Sequence, residues 1–186
     1  MSKKYEIRLS GSGGQGLILA GKVLAEAAVI YDGKNATQSQ SYGPEARGGA
    51  SRSEVIISDE EIIFPKAQNI DLLVALTQES CNVYSKDLKD DGILLVDSKL
   101  VGQVPEGKYR VYKVPIIDIA LKETGKTLTA NIVALGLVTE LSGIVTRKAV
   151  ESAILSRVPK GTEEINRKAF LAGIKKAEEI MKNSIK

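Results

Sequence analysis

Apolar and polar residues alternate near the start of the chain, and the alternation predicts a β-strand over residues 5–10. A glycine-rich segment follows the predicted strand. An apolar segment over residues 17–31 then predicts a helix that ends at an Asp-Gly pair. A strand, a glycine-rich turn and a helix in this order indicate the first unit of an α/β fold. The apolar positions of the strand are Tyr5, Ile7 and Leu9.

The rest of the chain shows further strand and helix patterns, largely in alternation. Strands are expected over residues 36–41, 51–57, 61–64, 72–76, 93–96 and 109–114. Helices are expected over residues 77–84, with Thr77 as a cap, and over 116–123, 129–141, 146–157 and 162–182. Residues 51–64 are interpreted as an antiparallel hairpin. The pattern predicts an α/β fold, with residues 1–186 forming a single three-layer doubly wound domain around a mostly parallel, mixed β-sheet.

Two of the predicted helices are apolar on nearly all sides. The helix over residues 17–30 carries only Lys22 and Glu26 as charges, and the helix over residues 129–141 carries only Glu140. A helix of this kind is buried on nearly all sides. Two explanations stay open: packing inside a three-layer domain, or cover by another subunit, in which case the isolated chain would self-associate.

Composition narrows the class of protein. The 186 residues are 43% hydrophobic and 26% charged, with a formal net charge of +3, as in ordinary globular chains. Many lysines lie among acidic residues in the last helix, which indicates a solvated face and no nucleic-acid partner. No segment approaches the roughly 20 apolar residues of a membrane span. The first residues lead directly into a strand without a secretory signal, so we expect a cytoplasmic protein.

The chain has no histidine and one cysteine, Cys81. One cysteine cannot form an internal disulfide or a four-cysteine metal site, and the missing histidine removes the commonest general base. We therefore expect no catalytic residue and no metal ligand in this chain. Cys81 is expected to be buried and structural.

A glycine loop between the first strand and helix is the first candidate site. Such loops favour anions at a helix N-terminus, but an NAD site also needs an acidic residue after the second strand, and residues 37–41 contain none. One interpretation is a tight crossover in which glycines such as Gly13 and Gly16 allow close packing; the other is contact with a ligand or a partner. The candidate residues are Gly11, Gly13, Gly14, Gln15 and Gly16.

The second candidate site is a loop with rigid and permissive residues around three functional side chains. Pro44 restricts the backbone, and Arg47 could bind a carboxylate or phosphate, or pair with Glu45. A structural turn, a ligand contact and a partner contact all stay open. The loop residues are Tyr42, Gly43, Pro44, Glu45, Arg47, Gly48 and Gly49. Asn131 is a further candidate for a ligand or interface contact, with a local hydrogen bond at its helix start as the alternative.

Both loops resemble motifs of the gamma subunits of 2-oxoacid:ferredoxin oxidoreductases. Gly-Ser-Gly-Gly-Gln-Gly at residues 11–16 is similar to the first motif, and residues 37–49 are similar to the second. Residues 128–136 and 166–173 resemble later helical segments of the family. The Thr-Gln-Ser-Gln-Ser lead-in at residues 37–41 is most similar to the 2-oxoglutarate branch, and the pyruvate and indolepyruvate enzymes are close relatives.

The resemblance implies a function that the residues alone do not show. Enzymes of this family, which serve anaerobic metabolism, decarboxylate a 2-oxoacid oxidatively, transfer the acyl group to coenzyme A and pass electrons to ferredoxin. Thiamine diphosphate, Mg and iron–sulfur clusters are implied to belong to other subunits, so this chain alone would bind no cofactor and act as a structural or coenzyme A-side accessory. The implied partners are alpha and beta subunits, with a delta ferredoxin-like subunit in some complexes. The alternative functions are a subunit of a pyruvate or indolepyruvate enzyme, or a stand-alone Rossmann-type nucleotide-binding protein.

The Arg47 interpretation leads to a test. Replacing Arg47 with alanine removes the charge that would reach a ligand or partner, so assembly or turnover of the whole enzyme should fall. Far-ultraviolet circular dichroism and thermal unfolding of the variant chain should match the wild type. Unchanged assembly and unchanged coenzyme A-dependent turnover would instead identify the loop as a purely structural turn.

Overall fold

The computed structural model describes residues 4–42 and 50–184 and shows a sheet with helices on both faces. The strands are β1 (Lys4–Ser12), β2 (Asn35–Ser41), β3 (Ala50–Ser58), β4 (Ile70–Ala75), β5 (Leu88–Asp97) and β6 (Arg110–Val114). The helices are α1 (Leu17–Glu26), α2 (Gln78–Tyr84), α3 (Ile116–Thr124), α4 (Ala130–Ser142), α5 (Arg147–Arg157) and α6 (Glu163–Ser184). A π-helical turn, Ala27–Tyr31, extends α1.

The sheet order over the described residues is β2-β3-β1-β4-β5-β6. Strands β1, β4, β5 and β6 are parallel to one another, whereas β3 is antiparallel to both β1 and β2. The predicted α/β fold with a mostly parallel, mixed sheet is therefore confirmed. The antiparallel pairing comes from β3, which lies between the first two strands of the chain.

The predicted strand over residues 61–64 is wrong, and so is the hairpin over residues 51–64. Apolar residues in this segment have high β-propensity, but β3 is already paired with β1 on one edge and with β2 on the other. No edge of β3 is left for a returning strand. The segment is instead an irregular connection in which Ile63 is 92% exposed.

One face of the sheet carries the larger core, formed with α1 and with α3 to α6. Residues 130–139 of α4 are all buried by this chain, so packing within the fold accounts for that apolar helix. Helices α4 and α6 approach so closely at Gly136 and Gly173 that a Cβ atom on either glycine would overlap backbone atoms of the other helix. The apolar segment after α1 behaves differently, because Val29, Ile30 and Tyr31 are exposed.

The other face of the sheet is covered by α2 and by the connection between β5 and β6. Cys81 of α2 is fully buried there, as expected, and burial raises the pKa of its thiol. Three polar residues of β1, Glu6, Arg8 and Ser10, also lie on this face and are buried. The side chain of Arg8 forms ion pairs with Glu54, at 2.7 Å, and with Asp87.

The topology places a switch point between β1 and β4. The chain leaves β1 through α1 towards β2, and it leaves β4 through α2 towards β5 on the opposite side. Because β1 and β4 are parallel neighbours, the loops that follow them leave the sheet at the same end, where the carboxyl ends of the parallel strands lie. Ligand sites in open α/β sheets form at such points.

The contact between α4 and α6 leads to a stability prediction. A Cβ atom in Gly173→Ala would overlap the carbonyl oxygen of Val133 and lie 3.0 Å from the Cα atom of Gly136. We expect the free energy of unfolding to fall by about 1–3 kcal/mol or more, because close-packed backbones must separate. Denaturant unfolding measures the change. Gly102→Ala is the matched control, since no heavy atom lies within 4 Å of its added Cβ; equal stabilities of the two variants would contradict the prediction.

Candidate functional site

The glycine loop starts inside β1 and is closed by its own glutamine. Gly11 and Ser12 are the last residues of the strand, and α1 begins directly after Gly16. The backbone N–H of Ser12 donates a hydrogen bond of 2.8 Å to Oε1 of Gln15. The side-chain carbonyl oxygen of Gln15 therefore stabilises the turn from within. Gly13 and Gly14 form the exposed part of the loop.

Asn131 connects this loop to the start of α4. Its Nδ2 donates a hydrogen bond of 3.1 Å to the carbonyl oxygen of Gly16, and its Oδ1 accepts one of 2.9 Å from the backbone N–H of Ile132. The local hydrogen bond expected for Asn131 is confirmed. The bond to Gly16 spans 115 residues of sequence, so two separately predicted candidate positions meet in the structure.

Gly16 is required by geometry, whereas Gly13 is not. Gly16 has a φ of 73°, in the left-handed region, and an added Cβ would lie 2.5 Å from Nδ2 of Asn131. An added Cβ on Gly13 would meet no heavy atom within 4 Å. The expectation that Gly13 allows close packing is therefore wrong, because its position is open to solvent. The expectation for Gly16 is confirmed.

The loop after β4 leaves the sheet at the same end as the glycine loop. The helix that follows it, α2, has a capped N-terminus. The backbone N–H of Leu76 donates a hydrogen bond of 3.0 Å to the carbonyl oxygen of Ser10, which continues the pairing of β4 with β1. Thr77 and Ser80 then form a reciprocal capping box at the start of α2. The predicted cap at Thr77 is confirmed.

Asp97 at the end of β5 is a buried carboxylate that sequence reasoning missed. Its Oδ1 accepts hydrogen bonds from the backbone N–H groups of Lys99, at 2.9 Å, and Leu100, at 3.1 Å. Its Oδ2 accepts one of 3.0 Å from the backbone N–H of Ile117 at the start of α3. The carboxylate thus holds the turn after β5 and the start of α3. Its place directly after the predicted strand over residues 93–96 is the signal that marks it.

The second candidate loop leaves the sheet beside the glycine loop. Tyr42 follows the last residue of β2 and is 65% exposed. In the sheet register Ser41 is opposite Arg52, and Ala50 is opposite Ser12. The strand residues on both sides of the loop therefore lie at the end of the sheet that carries the glycine loop. Its other candidate residues lie outside the described residues: Gly43, Pro44, Glu45, Arg47, Gly48 and Gly49.

Histidine and cysteine, which are common metal ligands and reacting groups, are scarce in this chain. The full sequence has no histidine, and Cys81 is buried. Within residues 4–42 and 50–184, no group of three or more His, Cys, Asp or Glu side chains could hold a metal ion. One cysteine cannot supply the four thiolates that hold an iron–sulfur cluster. In the same ranges, none of the helices is both long enough and apolar enough to cross a membrane.

Known proteins with similar sequences and folds are subunits of oxidoreductases. The chain is 53% identical to the 2-oxoglutarate synthase subunit KorC of Methanocaldococcus jannaschii, over 95% of this chain and 96% of the relative. The crystal structure of a keto/oxoacid ferredoxin oxidoreductase gamma subunit from Geobacter sulfurreducens has a TM-score of 0.86 and 58% identity, covering 94% of this chain and 99% of that one.

The fold also occurs within a longer chain. A chain of the 2-oxoglutarate:ferredoxin oxidoreductase from Magnetococcus marinus has a TM-score of 0.83 at 22% identity, a likeness in fold alone. The match covers 95% of this chain but 31% of the longer one. The sequence family described as pyruvate ferredoxin/flavodoxin oxidoreductase matches residues 6–176. The resemblance found in the two loops is thereby confirmed, and this chain belongs to the pyruvate ferredoxin/flavodoxin oxidoreductase family.

Proposed function

We propose that this chain is the gamma subunit of a 2-oxoglutarate:ferredoxin oxidoreductase. The observation that carries the proposal is 53% identity to a 2-oxoglutarate synthase subunit across almost the full length of both chains. The complete enzyme would decarboxylate 2-oxoglutarate oxidatively, form an acyl-coenzyme A and pass the electrons to ferredoxin. This chain would serve that reaction as a single domain of 186 residues in a cytoplasmic complex.

The reaction would be divided between this chain and its partners. Alpha and beta subunits, with a delta ferredoxin-like subunit where present, would hold thiamine diphosphate, Mg and the iron–sulfur clusters. In support, the described part of this chain has no donor set for a cluster or a metal, and its one cysteine is buried. The gamma subunit would contribute shape and contact surfaces instead of reacting groups.

The end of the sheet that carries the glycine loop is the proposed contact surface for coenzyme A or for a partner subunit. Gln15 and Asn131 hold the loop from inside through hydrogen bonds to Ser12 and Gly16. The exposed Gly13-Gly14 segment is thus supported by a rigid inner side, which reduces the ordering cost of a contact. Tyr42, which is 65% exposed, would extend the same surface.

A stand-alone nucleotide-binding protein is the weaker alternative. Strand β2, the second strand along the chain, ends in Ser39-Gln40-Ser41, so no carboxylate is present there to bind the ribose of NAD. The strand next to β1 is the antiparallel β3, whereas a dinucleotide-binding fold has a parallel strand at that position. A pyruvate or indolepyruvate enzyme would share this subunit architecture. The choice of 2-oxoacid would be made where thiamine diphosphate is bound, so activity of the assembled complex decides between these enzymes.

The division of labour predicts an inactive chain and an active complex. The purified chain alone should show no 2-oxoacid-dependent reduction of a viologen dye, because it lacks the groups that carry the reaction. Co-expressed with its partner subunits, it should support coenzyme A-dependent dye reduction with 2-oxoglutarate in preference to pyruvate or indolepyruvate. A chain that binds NAD tightly in calorimetry and recovers no partner subunits would contradict the proposal.

The glycine loop leads to different predictions for two of its glycines: substitution of Gly16 should lower stability, and substitution of Gly13 should lower activity. Gly16→Ala should lower the free energy of unfolding by about 1–2 kcal/mol or more, because the residue has a left-handed backbone and contacts Asn131. Gly13→Leu should change it by less than about 1 kcal/mol, since the position is open. In the assembled complex, however, Gly13→Leu should reduce turnover or raise the KM for coenzyme A. Wild-type assembly and kinetics of Gly13→Leu would show that the exposed segment makes no functional contact.

A further inference from the structure

The two edges of the sheet differ in a way that points to association. Natural proteins block exposed strand edges with charged residues, proline or bulges, since free N–H and C=O groups pair readily with other strands. Strand β6 at one edge carries Arg110 and Lys113. Strand β2 at the other edge has the sequence Asn-Ala-Thr-Gln-Ser-Gln-Ser, without charge or proline. Of the two described edge strands, β6 therefore carries protecting charges and β2 carries none.

The unprotected edge is also regular. All seven residues of β2 pair with β3 in an unbroken register, from Asn35 opposite Ser58 to Ser41 opposite Arg52, so no bulge turns the strand away. Seven residues of strand extend over about 23 Å. Asn35, Ser39, Gln40 and Ser41 are exposed. Its outer side offers a straight row of backbone groups to an incoming strand.

An exposed apolar patch lies next to this edge. Val29, Ile30 and Tyr31, in the π-helical turn after α1, are 42%, 68% and 44% exposed. Val29 and Ile30 line a shallow groove together with Gln38 of β2, so the patch and the edge strand form one surface. The groove is also lined by Lys22 and by an ion pair between Glu26 and Arg157. Recognition by strand addition uses two components, a free strand edge and a groove beside it. Hydrogen bonds to the backbone of the edge strand give affinity, and side chains in the groove give specificity.

From these features we infer that β2 and the patch formed by Val29, Ile30 and Tyr31 bind an extended, mainly uncharged segment of the larger of the proposed alpha and beta subunits, hereafter the larger subunit. The inference rests on the proposed function. In Magnetococcus marinus the same fold makes up 31% of one longer chain, so there the domain is joined covalently to another protein body. The 2-oxoglutarate synthase subunit KorC of Methanocaldococcus jannaschii matches this chain over 96% of its length, so in that enzyme the domain is a separate subunit that non-covalent contacts must hold in place.

The contact is tested in the whole complex with two single substitutions and a control. Ser39→Lys places a charge on the exposed side of the β2 edge, and Ile30→Lys removes the most exposed apolar anchor of the patch. Val111→Lys on β6 is the matched control, since Val111 is also an exposed apolar residue, at 40%, on the opposite edge of the sheet. Each tagged chain is co-expressed with the partner subunits, and binding of the larger subunit is measured by co-purification and by titration. Circular dichroism and thermal unfolding of each chain alone check that the fold is intact.

We expect Ser39→Lys and Ile30→Lys each to weaken binding of the larger subunit by roughly tenfold or more, and Val111→Lys to leave it unchanged. Wild-type binding by both variants, in a complex that otherwise assembles and turns over 2-oxoglutarate, would overturn the inference and leave the proposed function standing. A dimer of the wild-type chain that Ser39→Lys dissociates, with partner binding unaffected, would assign the edge to a second copy and also overturn it. A wild-type chain that recovers no partner subunit would overturn the proposed function, and this inference with it.

Discussion

The guanidinium group of Arg8 is a buried cation near the middle of the sheet. The packing on the face covered by α2 depends on the neutralisation of this charge. Its side chain is 4% exposed and pairs with the carboxylates of Glu54 and Asp87. Removing one partner of a buried ion pair costs about 3–5 kcal/mol, because the other charge is left without compensation. Glu54 lies on β3 directly opposite Arg8, and Asp87 lies just after α2. One cation therefore favours both the β1–β3 register and the position of α2 on the sheet.

Two elements, β1 and α2, connect the ion-pair cluster around Arg8 to the candidate site. The ring of Tyr84 in α2 lies 5.1 Å from the guanidinium carbon of Arg8 and 5.4 Å from that of Arg52, so two cations share one aromatic ring. Strand β1 runs from Arg8 into the glycine loop within a few residues, and α2 begins at the loop after β4. The two loops that diverge at the switch point are therefore positioned by one buried network. On the opposite face, Asn131 holds the glycine loop from α4.

Local patterns in the sequence predicted the elements, but they did not predict which polar residues are buried. The alternation over residues 5–10 correctly predicted β1, and its apolar residues Ile7 and Leu9 lie in the larger core. It gave no indication that Arg8 is buried too, because its partners are 46 and 79 residues away. The bond from Asn131 to Gly16 was hidden for the same reason. The error at residues 61–64 has a related origin: β-propensity measures how well a segment fits a strand, whereas pairing depends on whether a neighbouring edge is free.

The apolar helices show why hydrophobic content alone does not locate an interface. Helix α4 is apolar on all sides because the sheet and the surrounding helices of its own chain cover it, so its composition reflects internal packing. The segment after α1 has a similar composition, but it ends at the sheet edge, where no further element of the described chain covers Ile30. What separates the two is their position in the topology. A central helix buries its apolar residues within the fold, whereas an equally apolar turn beside an uncharged edge strand leaves them available to a partner.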